Sequence, residues 1–452
     1  MNDSTQFTKR ILKTWWPLAF SWLLMGVEVP ALSAVIARLS NPEINLAAYG
    51  GVVYPISLIV EAPIIMLLAA SVALSKDWAS YIRIRKFMMV AGAALTVVHI
   101  LVAFTPLYYV VVRQLIGVPE EIVEPARIGL MVMTPWTWSI AYRRFQQGVL
   151  IRYGHAREVG IGTVVRLITG GTVLAVGYAL HSSPGILVGA TAQALGVISE
   201  AVYAGWRVRP VLREQVRLAA PVPLMSWSEF YSFYIPLALT SLLSLLWQPI
   251  GSAALSRMDH PLESLAVWPV VSGLVFILRS FGFAYNEVVV AVLDEPNSTR
   301  SLRRFTGILA GSTSGLHLLI AATPLALFWF QRISALRPEL AQLAILGFWI
   351  AFPMTGLSVL QSWYQGAIVQ GKRTRGIPES MGIFLVTVLV VLGIGVSLKS
   401  ITGLYVGMVA FMLANLTQTL WLWVRSRPVM KIVQDRDGII SGGLAVENIQ
   451  GD

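Results

Sequence analysis

The sequence predicts an all-α integral membrane protein of twelve transmembrane helices arranged as two related halves. Three observations carry that prediction. Apolar runs of spanning length recur along the chain, basic residues alternate between successive loops, and the second half repeats part of the first.

Of 452 residues, 56% are apolar and 13% charged, whereas a soluble domain carries about 25% charged residues. A soluble fold so composed would lack the polar surface that keeps it dissolved. A helix needs roughly 20 apolar residues to cross the hydrocarbon, and the backbone must satisfy its own hydrogen bonds there. The runs are continuous rather than alternating, which excludes a barrel. There is no cysteine, so disulfides, thiolate metal sites and thiol nucleophiles are excluded. The leader MNDSTQFTKR enters a helix of full spanning length with no A-x-A-like cleavage site behind it, so the first helix is expected to be retained.

Spans are placed at residues 15–38, 46–74, 87–111, 123–150, 159–180 and 184–206 in the first half. In the second half they fall at 230–256, 262–293, 304–330, 340–370, 380–398 and 401–425. With both termini inside, the inner segments hold Lys9, Arg10 and Lys13; Lys76, Arg83, Arg85 and Lys86; Arg152 and Arg157; Arg207, Arg209, Arg213 and Arg217; Arg300, Arg303 and Arg304; Lys372, Arg373 and Arg375; and Arg425, Arg427, Lys431 and Arg436. The opposite side holds only Arg38, Arg113, Arg127, Arg257, Arg332, Arg337 and Lys399. This follows the positive-inside rule, and an odd number of missed helices would have destroyed it. The net charge of +11 therefore belongs to loops and implies no nucleic acid. The divisions are a cytoplasmic N-terminus (1–14), a six-helix bundle (15–206), a cytoplasmic linker (207–229) with Pro210, Pro221 and Pro223, a second bundle (230–425), and a cytoplasmic tail (426–452) expected to be disordered.

Laying residues 17–47 over 236–266 pairs Pro17 with Pro236, Leu23 with Leu242, Pro30 with Pro249, Ser33 with Ser252, Arg38 with Arg257, Pro42 with Pro261 and Leu46 with Leu265, among 12 identities in 31 positions. A second echo sets Pro135 on Pro353 and Gln147-Gly148 on Gln365-Gly366. The first helix matches the seventh and the fourth the tenth, so the repeat is parallel, and transporters built this way place their pathway between the halves.

At these residues the chain resembles the multidrug/oligosaccharidyl-lipid/polysaccharide (MOP) exporter superfamily, the MATE-like transporters. Within it, PLAFSWLLMGVEVPALSAVIA, MMVAGAALTVVHILVAFTPLYYVVVRQL and PLALTSLLSLLWQPIGSAALSR look most like the progressive ankylosis branch. The resemblance covers roughly residues 10–425. It implies two pseudo-symmetric six-helix bundles facing a central cavity, and proton-linked, sodium-linked or exchange-driven export of an organic solute. MATE exporters often carry an aspartate in the first helix, whereas here the nearest acid is Glu28.

An ionisable side chain at mid-membrane is costly and faces a cavity or a partner. Glu28 stands two residues before Pro30, whose missing N–H frees a carbonyl nearby, so a carboxylate there can hold a proton or Na⁺; a structural polar network explains it equally well. Glu61 stands two residues before Pro63, and the repeat lays it on Ser280, beside Arg279. Glu61 and Arg279 are expected to face one another across the cavity, with Arg279 receiving an anionic group of the solute; the alternative is a fixed interhelical salt bridge. Gln248, next to Pro249, is the neutral candidate for the cavity lining, and Asn286 and Glu287 for the inner mouth. Glu200 is read as a weaker candidate of the same kind, and Arg143, Arg144 and Arg166 as interfacial anchors. Gly148 and Gly366 suggest close helix approach. His99 could relay a proton or serve as a hydrogen-bonded structural residue.

No G-x-x-x-x-G-K-[ST] loop, H-E-x-x-H or acidic metal cluster occurs, so an enzyme or an ATP-driven pump is not expected. The expected activity is secondary active transport of a small solute, an organic anion, by a monomer in the cell membrane, needing no cofactor beyond H⁺ or Na⁺ as coupling ion. The alternative is a flippase for a lipid-linked saccharide or polyanion, whose cavity should hold several arginines.

Overall fold

The computed structural model describes residues 2–293, 295, 298–371, 375–398 and 400–449, with side chains from 11 to 437 within those ranges. Lys9, Arg10, Lys372, Arg373 and Lys399, on which part of the loop pattern rests, lie outside the described side chains.

The described chain consists of helices joined by loops, and each predicted span finds its helix. In the first half these are α1 (Ile11–Ile36 within Asn2–Ile36), α2 (Pro42–Leu74), α3 (Trp78–Phe104), α4 (Glu120–Arg152), α5 (Ala156–Leu180) and α6 (Gly185–Val216). In the second they are α7 (Trp227–Leu255), α8 (Pro261–Val292), α9 (Ser298–Ala322), α10 (Pro338–Gln370), α11 (Gly376–Leu398) and α12 (Gly403–Asp437, continuing to Ile449). Eleven are apolar enough to span on composition alone. The twelfth, α4, carries Glu124, Arg127, Arg143 and Arg144, yet its 33 residues give about 50 Å of helix. It can be polar because α2, α3, α5 and α6 surround it and cover its side chains from lipid.

The third and ninth spans end earlier than expected, for one shared reason. Thr105 and Thr323 precede Pro106 and Pro324, and a residue before proline is pushed out of the helical region; both are extended, at φ −107° and −117°. Each threonine hydroxyl donates back to its helix, to Leu101 O and Leu319 O at 2.6 Å. A short helix follows each break, reaching Ile116 and Ile333.

Two further boundaries differ from the sequence reading. Helix α6 runs to Val216, past the expected start of the linker. Residues 217–226 then fold back along the α2–α3 corner, where Val222 N–H donates to Asp77 Oδ2 at 3.2 Å and Arg83 donates to the Met225 carbonyl. Asp77 also caps α3 through Ser80 N–H at 2.9 Å. At the other end, α12 does not stop at 425. Val429 and Val433 pack with Ile11, Trp15, Tyr285 and Leu302, and Arg436 binds the carbonyls of Leu293 and Glu295, so this stretch of the tail has an apolar face to bury.

The halves meet chiefly where α1 crosses α8, α7 crosses α2, and α2 faces α8. A side chain at Gly273 would press on Pro30, and one at Gly26 on Phe276. Tyr234 and Ser241 of α7 donate to the carbonyls of Pro63 and Ala62.

Candidate functional site

The first bundle encloses a charge cluster drawn from five helices. Glu28 comes from α1, Glu61 from α2, Arg143, Arg144 and Gln147 from α4, Thr163 and Arg166 from α5, and Glu200 from α6. Glu200 is its hub: Arg143 donates to one carboxylate oxygen, and Gln147 Nε2 (2.9 Å) and Thr163 Oγ1 (3.5 Å) donate to the other. Arg166 lies 3.7 Å from Glu200 and 3.1 Å from Glu28. Arg143 and Glu200 are almost wholly buried, whereas Glu28 keeps 21% of its side chain exposed. Glu28 faces a cavity of about 200 Å³ lined by α1, α5 and α6, with Gln193, Gly170 and Leu174 on its walls.

Glu61 differs from the other two acids. It is 4% exposed, makes no ion pair among the described residues, and its Oε2 has no hydrogen-bond partner. A buried carboxylate so placed would cost several kcal/mol, which a bound proton or cation removes.

The second bundle has its own buried network, with a cation that has no paired acid among the described residues. Arg279, 8% exposed, donates to Asn415 Oδ1 at 2.7 Å and lies over the rings of Phe283 and Phe411, 5.1 and 5.4 Å from their centroids. Its Nε has no partner. Gln361 Nε2 donates to Asn415 O (3.1 Å) and Gln418 Oε1 (3.2 Å).

These two networks occupy matching positions. Glu61 and Arg279, Arg143 and Gln361, and Glu200 and Gln418 each stand 218 positions apart. The Arg143–Glu200 bond of one half is the Gln361–Gln418 bond of the other. Gly148 and Gly366 confirm the register. A side chain on the first would strike Ser71 and on the second Val289, again 218 apart, and both sit at close helix crossings. The sequence alignment over the first and seventh helices has an offset of 219 instead. The change falls between Ala47 and Glu61, where α2 contains the π-helical turn Tyr49–Val53 and the matching stretch of α8 is regular α-helix. A π turn absorbs one inserted residue. The offset of 218 was already present in the Pro135–Pro353 echo; applied to α2 it sets Glu61 on Arg279 itself rather than on Ser280.

The structure does not bring Glu61 and Arg279 together. Arg279 has its described partners within the second bundle, and Glu61 shares the first bundle with Arg143 and Arg144. Arg143, Arg144 and Arg166 are not interfacial anchors; they are buried or nearly so at the cluster. Asn286 donates to Ser362 O at 3.3 Å, Glu287 is exposed, and Gln248 is half-buried beside Pro249.

His99 lies outside the cluster. Its Nε2 is 3.0 Å from Leu130 O, which can only accept, so the ring carries its proton on Nε2, and Nδ1 accepts from Thr137 Oγ1 at 2.9 Å. Both nitrogens are thus engaged with α4. His317, 218 positions on, repeats half of this: its Nε2 is 3.0 Å from Phe348 O, while its Nδ1 has no hydrogen-bond partner among the described residues. This duplicated histidine was legible in the sequence once the shorter offset was used.

No protein-family model matches the chain, and no curated protein does. Solved structures do. A multidrug resistance MATE family transporter of the MOP superfamily, in its inward-facing conformation, superposes with a TM-score of 0.68 at 14% identity over 92% of this chain and 98% of its own. The lipid II flippase MurJ, inward closed, gives 0.69 at 14% identity over 95% and 91%. A MOP superfamily transporter from Pyrococcus furiosus, described as having a binding pocket of reversed polarity, gives 0.60 at 18% over 95% and 99%. The chain therefore has the MATE-like fold of two six-helix bundles, shared with transporters and a flippase.

Proposed function

We propose that this protein is a secondary active transporter that moves an organic anion by alternating access between its two bundles, coupled to H⁺ or Na⁺. The observation that carries the reading is the opposite polarity of the matched networks. One bundle holds three carboxylates, with Glu61 unpaired and Glu28 open to a cavity; the other holds a buried guanidinium without a paired acid. The first arrangement suits a coupling cation and the second an anionic group of a solute. Glu28 and Glu61 are the coupling residues, Glu200 with Arg143 and Arg166 holds the site together, and Arg279 receives the anion, with Gln248, Asn286 and Glu287 nearer the path between bundles. His99 is left to helix packing.

Within the MOP superfamily we read the chain as nearest the progressive ankylosis branch, a reading supported by the likeness of the three segments quoted above. The termini face the cytoplasm in this reading, which the distribution of loop arginines supports. The chain acts as a monomer in the cell membrane and exports its solute.

The fold likeness to MurJ favours a second reading, transfer of a lipid-linked anion. The first bundle does contain three further arginines at membrane depth, but Glu28, Glu61 and Glu200 stand among them, so they offer no net positive surface. Flux in proteoliposomes tests the choice, with proton and sodium gradients and a panel of organic ions, for wild type, Glu28→Gln, Glu61→Gln and Arg279→Ala. Gradient-driven flux that either glutamine variant uncouples supports the antiporter. Movement of labelled lipid between leaflets with no soluble flux under any gradient establishes the flippase instead.

A further inference from the structure

The two arginines that the repeat pairs at the ends of α1 and α7 do the same thing in opposite directions. Arg38 Nη1 donates to Ala34 O of its own helix at 2.6 Å, then crosses to the second bundle, reaching Ile333 O at 2.7 Å and Arg332 O through Nη2 at 2.5 Å. Arg257 Nη1 donates to Ala253 O at 2.7 Å and crosses to the first bundle, reaching Ile116 O at 2.5 Å, with Nη2 on Leu115 O at 2.8 Å and Gln114 O at 3.1 Å.

The acceptors are the terminal carbonyls of the short helices that follow Thr105-Pro106 and Thr323-Pro324. Carbonyls at a helix C-terminus have no partner within the helix and carry its negative end. Each short helix ends in a π turn, with a left-handed residue directly after the first, Gly117 (φ 76°), and one residue further on, past Ser334, in the second, Ala335 (φ 54°); this turns the chain sharply away and leaves those carbonyls pointing outward. A guanidinium has a fixed fan of donors and no need of a carboxylate, so it can bridge several carbonyls at once. A side chain at Gly117 would sit 3.2 Å from Arg257 Cζ, so the left-handed glycine also makes room for the crossing group. All of these bonds lie on the face opposite the termini. One ion pair joins the bundles there as well, Arg337 to Glu43 at 3.0 Å, and it has no counterpart at the repeat position of Glu43, which is Leu262.

We infer that Arg38 and Arg257 are paired latches of the outer gate: each holds the carbonyl end of the other bundle's short helix, and both must let go before the bundles can part on that face. The inference rests on the rocking of the bundles proposed above and not on the solute. Below the latches the two halves close face to face, with Gly50 and Gly51 of α2 against Pro269 and Leu265 of α8. Ala47, on that stretch of α2, is fully buried. Separation of the bundles on the outer side exposes it.

The absence of native cysteine makes the test direct. Ala47→Cys is introduced alone, and its alkylation by a membrane-impermeant maleimide is timed in proteoliposomes, with orientation scored separately. Loss of a hydrogen bond to a charged group costs enough for roughly a tenfold population shift. Arg38→Ala and Arg257→Ala are each therefore expected to speed labelling about tenfold, and the double variant more than either. Arg337→Ala, which removes a single ion pair whose arginine side chain is 65% exposed, should change it less than threefold. Arg38→Lys with Arg257→Lys keeps both charges but gathers its donors on a single nitrogen in place of the planar fan by which Nη1 and Nη2 span the home-helix and opposite-bundle carbonyls, so this pair also labels faster; it carries the test if the alanine double variant does not purify as a single species. An unchanged labelling rate in the lysine pair overturns the latch. Faster labelling without any gradient-driven flux in wild type retains the latch and rejects the transport reading.

Discussion

The sharpest consequence of the matched networks is a repair experiment. Glu200 and Arg143 are both buried, with side-chain exposures of 2% and 6%, and removing one partner of such a pair costs about 3–5 kcal/mol because the other charge is left stranded. Glu200→Gln should therefore destabilise the protein by about that amount, since Arg166 retains Glu28 at 3.1 Å while Arg143 has no second acid within bonding distance among the described residues. The second bundle shows what the neutral alternative looks like: at the corresponding positions Gln361 donates to Gln418. Replacing both residues, Arg143→Gln with Glu200→Gln, builds the same neutral pair in the first bundle and should recover about 2 kcal/mol or more of the loss as a coupling term. The 15 tryptophans give the signal for graded SDS unfolding in mixed micelles, from which the cycle is computed. Strictly additive losses in the double variant would show that the two networks are not structural counterparts, and the 218-residue register would lose its meaning for the site.

Other variants separate ion, solute and scaffold. Glu61→Gln should leave stability within about 1 kcal/mol, because no partner is lost, while gradient-driven flux falls at least tenfold; equal loss of stability in Glu61→Gln and Glu200→Gln would make Glu61 part of the scaffold. Arg279→Gln should raise the solute KM by tenfold or more and Arg279→Lys by less, measured as initial uptake against solute concentration. Burial alone would raise the Asp77 carboxyl, but donation from the Ser80 hydroxyl and amide and the Val222 amide holds it below its ordinary value. Its contribution is thus present above the unfolded-state value of about 3.9 and disappears as pH falls through the lower folded value. Unfolding midpoints followed from pH 6 to pH 2 should fall less steeply for Asp77→Asn than for wild type, at the expense of about 1 kcal/mol in cap strength at neutral pH.

How much of this could be read in the sequence depended on what kind of signal each feature leaves. Hydrophobic length and loop charge leave strong local marks, so all twelve helices were placed, including α4, whose own hydropathy is too low to identify it. Helix ends were legible only where proline chemistry was weighed: Thr105-Pro106 and Thr323-Pro324 terminate helices that the apolar run continues through. The inner extension of α12 left a fainter mark, a helical spacing of Val429 and Val433 amid charged residues. The charge cluster was half visible. Glu28 and Glu61 were found because a lone acid in an apolar run is conspicuous, whereas Arg143, Arg144 and Arg166 lie a few turns from basic loops and read as anchors. Only the tertiary placement of Glu200 among α4, α5 and α6 shows that they turn inward. The pairing of Glu61 with Arg279 failed because equal depth in two halves says nothing about which way each side chain points.

The π turn Tyr49–Val53 links these points and yields a last prediction. It carries the one residue by which the first half exceeds the second between Ala47 and Glu61, so the helix on either side keeps the phase that α8 has without it. Deleting one of the adjacent residues Gly50 and Gly51 should therefore convert the turn to regular α-helix and leave Glu61 facing the cluster. Deleting Ile59 instead, one and a half turns or so further on, removes a residue from regular helix and rotates the residues on one side of the cut by about 100° relative to the other. That carries Glu61 away from Arg143 and Arg144 or turns Gly50 and Gly51 away from α8. The glycine deletion should retain a monodisperse elution profile and most of its unfolding midpoint, and the Ile59 deletion should lose both. Equal damage from the two deletions would mean that the turn is needed for its own shape against Pro269 and Leu265, and that the register shift between the halves has some other source.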